Sequence, residues 1–288
     1  MVQTIDQVDQ RQVDQYRSTG YTVASGLFSA QEAASYADFY TAMRLEQNAT
    51  EEKMPDGSRS KISDDPLRTY ARLMHPHRYD QRSLDWLLEP RLAAWLTALC
   101  GVAPYAVQTM VYFKPAGSRG QALHQDQFYL RVQPGSCIAA WMALDDCDEE
   151  NGCLQIVPGT HDIPVLCSVE ADPTQSFTSD TVVLPEGMTP IPVPLKAGDV
   201  LFFNGQLVHG SYANTSKDRF RRSLIGHYID GNAEMVSKWY KPVLRFDGTE
   251  VTLKDSEWGG RCGVWVDKDG NPEVELSGTE TRQNYTLH

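Results

Sequence analysis

From about residue 106 to residue 230 this chain is a succession of short β-type runs separated by turns, and that texture restricts its fold more than any other feature. Val107–Phe113, Cys137–Leu144, Leu154–Val157, Ile191–Leu195, Asp199–Phe203 and Ser223–Ile229 are dominated by aliphatic, β-branched and aromatic residues. Between them stand Pro115-Ala-Gly117, Pro134-Gly135, Asn151-Gly152, Pro158-Gly159, Ala197-Gly198-Asp199 and Asn204-Gly205. Gly and Asn admit positive φ and Pro presets the turn dihedral, so the breaks read as turns and the runs as strands. Many short strands with this punctuation predict a β-sandwich or barrel. The stretch 168–190 departs from the pattern, being rich in Ser, Thr, Asp and Pro, and its length suits a functional lid rather than a hairpin turn. A last pair of runs, Arg261–Val266 and Glu273–Leu276, reads as a terminal β-hairpin.

The N-terminal part has a different period. Residues 6–19 read as a polar helix stopped by Gly20, with a strand at Tyr21–Ala24. Ser29 and Glu32 stand at capping-box spacing before a helix reaching about Leu45, whose apolar positions include Ala33, Tyr36, Phe39, Tyr40 and Met43. Residues 46–66 are polar, carry Pro55-Asp-Gly57 and Asp64-Asp-Pro66, and are expected to form an exposed loop. Ser83–Leu88 and Pro90–Cys100 are two further helical stretches, Pro90 suiting a first turn and Gly101 a stop. One domain over 1–288 is the economical reading: a mostly helical part at 1–105, a β-core at 106–230, and an extension at 231–288 holding the hairpin.

A net charge of −12 argues against nucleic-acid binding, which requires a basic face, and it permits a cationic small substrate. No apolar run approaches the roughly twenty residues that span a bilayer. The opening MVQTIDQVDQ lacks the basic and apolar regions of a signal peptide. The six cysteines include no CxxC pair, and five sit among apolar neighbours. They read as buried free thiols in a reducing compartment rather than bridges or zinc ligands, which points to the cytoplasm. Nothing in the sequence sets the oligomeric state.

Chemistry is concentrated at His124-Gln125-Asp126. With seven histidines and 38 acidic residues, about one His-x-Asp/Glu arises by chance, so position decides its worth. In an extended segment residues two apart share a face, which would aim His124 and Asp126 together. His209, at the end of a Phe202–Val208 run, can approach from another strand. Two imidazoles and one carboxylate on one side of an ion leave the opposite positions open, the arrangement of non-heme Fe(II) oxygenases. Arg221 and Arg222 follow at the head of the Ser223–Ile229 run, and strand alternation lets only one of them face the metal to clamp a carboxylate. His227 shares the Arg221 face and reads as a packed histidine or as a group behind the metal ligands. His75-Pro-His77 is a polar loop with no third ligand nearby, and His161 a turn residue. Gln127, Phe128 and Tyr129 follow the motif directly and are candidate substrate contacts, the aromatics being equally suited to the core.

The combination Gln108-Thr-Met110, Leu123-His-Gln-Asp126, Ala140-Trp-Met-Ala-Leu-Asp145, Glu150-Asn-Gly-Cys-Leu154, Pro158-Gly-Thr-His161, Gly198-Asp-Val-Leu-Phe-Phe203, His209-Gly-Ser211, Asn214 and Arg221 resembles the phytanoyl-CoA dioxygenase family. The resemblance runs continuously over about 106–230 and implies a mainly β fold, a double-stranded β-helix (jelly-roll, cupin-like) core with flanking N-terminal helices. It implies Fe(II) held by His124, Asp126 and His209, with 2-oxoglutarate and O2 as cosubstrates. It further implies that Arg221 and Ser211 hold the distal carboxylate of 2-oxoglutarate and that Gln108 and Trp141 line its pocket. The stretch between His209 and the arginine is one residue longer than the family's usual spacing, which keeps Arg222 as an alternative. Related halogenases carry a small residue where Asp126 stands, so the resemblance implies hydroxylation or another oxidation of a small-molecule metabolite, with succinate and CO2 released. Acidic residues Glu170, Asp172, Asp180 and Glu186 favour a polar or amine-bearing substrate, as in natural-product tailoring. Two other readings remain at this stage, a cupin-type metalloenzyme independent of 2-oxoglutarate and a non-catalytic ligand-binding jelly roll.

Overall fold

The computed structural model describes residues 8–51, 72–256 and 262–277. Helix α1 (Gln10–Thr19) is capped by the Asp9 carboxylate, which accepts the Arg11 N–H, and ends at Gly20 with φ 84°. Strand β1 (Tyr21–Ala24) leads to α2 (Ala30–Glu51). The capping box at its start is closed in both directions: Ser29 Oγ accepts the Glu32 N–H at 3.1 Å and Glu32 accepts the Ser29 N–H at 2.7 Å. The helix continues past Leu45 through residues expected to be loop. Glu46, Gln47 and Ala49 are good helix formers and no Gly or Pro intervenes, so nothing stops propagation there. Residues 52–66 of that expected loop lie outside the described residues.

After β2 (Leu73–Met74), helices α3 (Gln81–Leu87) and α4 (Pro90–Cys100) follow, α4 ending at Gly101 with φ 77°. The core strands are β3 (Tyr105–Lys114), β4 (Gln121–His124), β5 (Cys137–Ala143), β6 (Leu154–Ile156), β7 (Ser168–Glu170), β8 (Asp180–Val182), β9 (Ile191–Val193), β10 (Val200–Asn204), β11 (His209–Ser211) and β12 (Arg221–Ile229), with the short helix α5 (Gln127–Leu130) after β4. Short strands β13 (Met235–Val236), β14 (Val243–Leu244), β15 (Glu250–Val251) and β16 (Lys254–Asp255) precede the expected terminal hairpin, β17 (Cys262–Lys268) and β18 (Asn271–Ser277).

A major sheet in the order β1-β10-β5-β12-β3-β14-β15, with β2 on β3, stands against a minor sheet in the order β4-β11-β6-β9. Both are antiparallel, as a jelly roll requires. Strand alternation separates two cores. Met110, Trp141, Leu201 and Ile225 of the major sheet pack with Leu154, Ile156 and Val193 of the minor sheet. Val111, Met142, Phe202 and Leu224, on the opposite face, are covered by Tyr40, Trp86, Leu92 and Leu96 of the helices. The helices therefore close one face, leaving the space between the sheets to hold a site.

Two expectations need correction here. The 168–190 stretch contains a hairpin, β7 with β8, docked on the edge of β4. Ser176 Oγ accepts the Ala122 N–H at 2.9 Å and Thr181 Oγ1 donates to the Leu123 carbonyl at 3.3 Å. These bonds satisfy backbone groups that the edge of a sheet would otherwise leave open. The cysteines are not all free: Cys167 and Cys262 form a disulfide across 95 residues. A bridge pairing of Leu166 with Gly263, and the Cys167 N–H to Gly263 carbonyl bond of 2.8 Å, bring the two together. Cys100, Cys137, Cys147 and Cys153 are free, and the last three are buried. No helix among the described residues is long and apolar enough to cross a membrane.

Candidate active site

His124 ends β4, and His209 is its cross-strand partner at the start of β11. The sequence suggested that His209 closes a run from Phe202, but the Asn204-Gly205 turn ends β10, so His209 opens a new strand. Asp126 also departs from expectation. Its φ and ψ of −62° and −32° are helical, so the chain turns into α5 at this point instead of continuing as a strand. The buried Gln125 pins the turn, its Oε1 accepting the Leu166 N–H at 2.7 Å and its amide donating to the Gln206 carbonyl at 2.8 Å. Strand parity is therefore not what brings the carboxylate to the two rings; the turn does it.

Ligand atoms of His124, Asp126 and His209 all lie within 4.8 Å of one another. Both rings donate Nδ1–H to a backbone carbonyl, His124 to Ala122 and His209 to Leu207, each at 2.9 Å. That bond selects the tautomer and puts each lone pair on Nε2, where a metal can take it, that of His124 in exchange for the Gln121 amide N–H it accepts at 3.1 Å. These nitrogens face the carboxylate, His124 Nε2 at 3.5 Å from Asp126 Oδ1 and His209 Nε2 at 3.6 Å from Oδ2. Burial, reinforced by His124, lowers His209 to about 4, so the ring is neutral near neutral pH, as metal ligation requires. Burial opposes ionisation of Asp126, but the surrounding imidazoles, among them His227 with its Nε2 3.1 Å from Oδ2, outweigh it and the carboxyl lies below the ordinary carboxylate range. Two neutral imidazoles and one carboxylate, all buried, are a donor set that fits Fe(II).

Arg221 and Arg222 part company as alternation demands. Arg222 points to the helical side, where Asp145 takes it in a two-pronged pair with contacts of 2.6 and 2.9 Å. Arg221 is buried inside, its Nε donating to the Gly152 carbonyl at 3.1 Å and its Nη1 to Ser223 Oγ at 3.1 Å, with the guanidinium carbon 5.5 Å from the centre of a Trp141 ring. Ser211 is in the same pocket through a residue that sequence reasoning missed. Lys114, the cross-strand partner of Arg221, is 3% exposed and donates to Ser211 Oγ at 2.8 Å and to the Tyr212 carbonyl. Gly152 is required beside it, since a Cβ there would lie 2.7 Å from Lys114 Cδ and from the Tyr212 carbonyl oxygen. Among the described residues neither cation forms an ion pair with a carboxylate. Burial, with Arg221 adding to it, drives Lys114 well below the ordinary lysine range. A guanidinium beside a depressed lysine, enclosed with no counter-ion among the described residues, fits a carboxylate ligand, whose charge would return the proton to Lys114. The signal was present in the sequence: Gln108, Met110, Tyr112 and Lys114 alternate along one strand, so an inward Gln108 implies an inward Lys114.

Other sequence candidates fall into three groups. Gln108 is buried at the opposite end of that strand, facing His227 across the sheet and 3.3 Å from His75 Nε2, and so lies near the His–Asp–His cluster instead of beside Arg221. Phe128 and Tyr129 border a shallow cleft that also includes His124, Leu123, Leu166 and Val182. Gln127 is engaged elsewhere, donating to the Val132 carbonyl at 2.9 Å and accepting the Cys137 N–H at 3.3 Å, and braces its own loop. His77 is bonded to Thr109 and His161 to the Arg17 carbonyl, both structural positions. His227 does more than pack: its Nε2 is 3.1 Å from Asp126 Oδ2. Gln121 was also unforeseen, its amide nitrogen lying 3.1 Å from His124 Nε2.

Two facing antiparallel sheets, a His–Asp–His cluster and a cationic pocket between them define the class, a double-stranded β-helix protein with a place for one metal ion. A sequence profile described as Phytanoyl-CoA dioxygenase (PhyH) matches residues 16–223, and the chain belongs to the phytanoyl-CoA dioxygenase family. It is 35% identical over 131 residues to phytanoyl-CoA dioxygenase 1 of Oryza sativa subsp. japonica, a match covering 44% of this chain and 45% of the relative. The chain spans about half the length of the curated relatives it matches. Among solved structures it resembles the epimerase SnoN in complex with Fe3+, alpha ketoglutarate and nogalamycin RO, at 25% identity and TM-score 0.59, over 78% of this chain and 84% of that one. The fold alone is shared with EvdO2 of Micromonospora carbonacea var. aurantiaca complexed with 2-oxoglutarate, at 20% identity and TM-score 0.61, over 79% of this chain and 93% of that one.

Proposed function

We propose that this protein is an Fe(II)- and 2-oxoglutarate-dependent dioxygenase that oxidises, and in the simplest case hydroxylates, a small-molecule metabolite. The observation that carries the reading is the pairing of two groups of side chains bridged by β11: a buried His124–Asp126–His209 cluster, and Lys114 with Arg221, buried with no carboxylate partner among the described residues. Ser211 and His209 stand two residues apart on β11, so ~7 Å of strand separates the cationic end from the metal end, a span that a five-carbon dicarboxylate can bridge.

In this reading His124, Asp126 and His209 hold the metal on one side. Arg221 and Lys114 hold the far carboxylate of 2-oxoglutarate, with Ser211 as the hydroxyl partner of Lys114. Trp141 gives Arg221 an aromatic floor. Phe128 and Tyr129 border the approach to His124, where a substrate would be positioned and water excluded. Bound iron and its cosubstrates supply the oxidising power, with the balance substrate–H + 2-oxoglutarate + O2 giving substrate–OH + succinate + CO2. A cupin-type reaction without 2-oxoglutarate would have no use for the second buried cation.

The finer parts of the proposal are a polar or amine-bearing substrate and a single oxygenase domain over 1–288; the Cys167–Cys262 bridge removes the free-thiol ground for a cytoplasmic setting. SnoN, described as a nogalamycin-biosynthesis enzyme, is the support for a role in natural-product tailoring. The test is anaerobic reconstitution with Fe(II) and 2-oxoglutarate, then exposure to O2 with a metabolite library containing amines, acids and acyl-CoAs. Succinate release that depends on Fe(II) and on an added metabolite is the expected result. Failure to bind 2-oxoglutarate in the presence of Fe(II) would remove the proposal.

A further inference from the structure

Along the inner face of β12 stand Arg221, Ser223, Ile225 and His227, and the function proposed above leaves the last without a task. His227 is 5% exposed and lies behind the metal cluster. Its Nε2 is 3.1 Å from Asp126 Oδ2, closer than His209 Nε2 at 3.6 Å from the same oxygen. An ionised carboxylate only accepts, so His227 must present an N–H to it. Its other nitrogen, Nδ1, is buried and has no hydrogen-bond partner among the described residues.

The backbone is shaped for this contact. β12 and β3 pair residue for residue from Arg221–Lys114 to His227–Gln108, after which the register slips and Tyr228 faces Ala106, passing over Val107. A bulge of this kind beside a site re-aims the adjacent side chain. On its other flank His227 is the cross-strand partner of Ala139, whose single methyl leaves room for the ring. The remaining Asp126 oxygen, Oδ1, faces His124 Nε2 at 3.5 Å.

We propose that His227 is a positioning residue for the metal, holding Asp126 through Oδ2 so that the carboxylate offers the ion Oδ1 alone. Single-oxygen ligation keeps the open side of the ion available to exchangeable ligands. Without the His227 N–H, Oδ2 is released to compete for the ion or the carboxylate swings off its line. The inference rests on the metal assignment above, so its test must fail separately from that assignment.

Co(II) titration of the metal-free full chain, read by visible absorption, provides the separation. His227→Gln and His227→Met are compared because the two side chains have nearly equal volume and only Gln donates an N–H. His227→Met should weaken Co(II) binding roughly 10- to 100-fold and alter the absorption envelope. His227→Gln should stay within about threefold of the native affinity, well short of that loss. Thermal unfolding of each metal-free variant checks the fold. Native affinity and an unchanged spectrum in the Met variant would overturn the proposal while leaving the metal site standing, as would equal losses in both variants. If the Met variant does not fold, a folded Gln variant that has lost the full 10- to 100-fold refutes the positioning role and one that binds normally supports it. Native Co(II) binding that survives His124→Ala would instead remove the metal assignment itself.

Discussion

Lys114→Met separates binding from stability. The exchange keeps most of the side-chain stem and removes the charge from a residue that is 3% exposed and paired across the sheet with Arg221. In the ligand-free protein it deletes a buried cation whose desolvation costs several kcal/mol, together with its repulsion from Arg221. It also gives up bonds to Ser211 Oγ and the Tyr212 carbonyl, each worth roughly 1.5–3 kcal/mol as charged hydrogen bonds. These terms offset, and the free energy of unfolding should change by less than about 2 kcal/mol. Binding has no such offset. Removing one partner of a buried, hydrogen-bonded charge pair costs about 2–5 kcal/mol. The Kd for 2-oxoglutarate should therefore rise by roughly 30-fold to several thousand-fold. Anaerobic calorimetric titration of the Fe(II)-loaded protein measures the first quantity and urea unfolding the second. A variant that binds 2-oxoglutarate as tightly as the native chain but unfolds easily would make Lys114 a structural strut and refute the reasoning. The pH dependence has a fixed sign. Burial and then Arg221 depress Lys114, with Cys153 opposing, so only between the depressed folded value and the ordinary lysine value does the unfolded chain hold a proton that the folded chain has released. Ligand-free stability should therefore rise with pH from the depressed folded value up to the ordinary one. The Met variant should lack that component of the rise.

Asp126→Ala should abolish 2-oxoglutarate-dependent turnover and weaken metal binding; unchanged succinate release would remove the cluster assignment. Arg222→Ala should lower stability by about 1.5–3 kcal/mol by breaking the two-pronged Asp145 pair, yet leave 2-oxoglutarate affinity near native, because Arg222 faces the helices. A large loss of 2-oxoglutarate binding in that variant would reverse the assignment of the two arginines. Reduction of Cys167–Cys262, which closes 95 residues of chain, should lower the unfolding free energy by about 2–4 kcal/mol, read as a shift of the urea midpoint. Coincident oxidised and reduced unfolding curves would show that the bridge contributes nothing.

What could be read in the sequence followed local rules. Ser29 with Glu32, Gly20 and Gly101 marked helix ends because capping chemistry needs only neighbouring residues. The strands were legible because Gly, Pro and Asn punctuate them. Less visible were features set by tertiary register. Lys114, at a strand end just before Pro115, looks like a surface cation until Arg221 is placed opposite it. Cys167 and Cys262 are joined only because Leu166 pairs with Gly263. Asp126 joined the metal cluster for a reason the spacing did not give, since the chain turns helical there and Gln125 holds the turn. The hairpin within 168–190 was masked by polar composition, because its strands earn their place through edge hydrogen bonds to β4 more than through a continuous apolar face.

The pairing of β3 with β12 ties the two halves of the proposed site into one constraint. Lys114 with Arg221 marks the cationic end, Met110 with Ile225 the apolar middle, and Gln108 with His227 the end nearest Asp126. A one-residue slip of β12 along β3 would break every one of these pairs, turning Arg222 inward and Arg221 toward Asp145. The register is held by the inner apolar layer that includes Met110 and Ile225 and by the outer layer that includes Val111 and Leu224. A bulge at the cationic end would shift Arg221 against Lys114 and upset the pair; the bulge found lies past His227, where it alters aim without disturbing the anion pocket. The proposed anion and metal ends of the site thus depend on a single strand register, in which Arg221 keeps its inward place opposite Lys114.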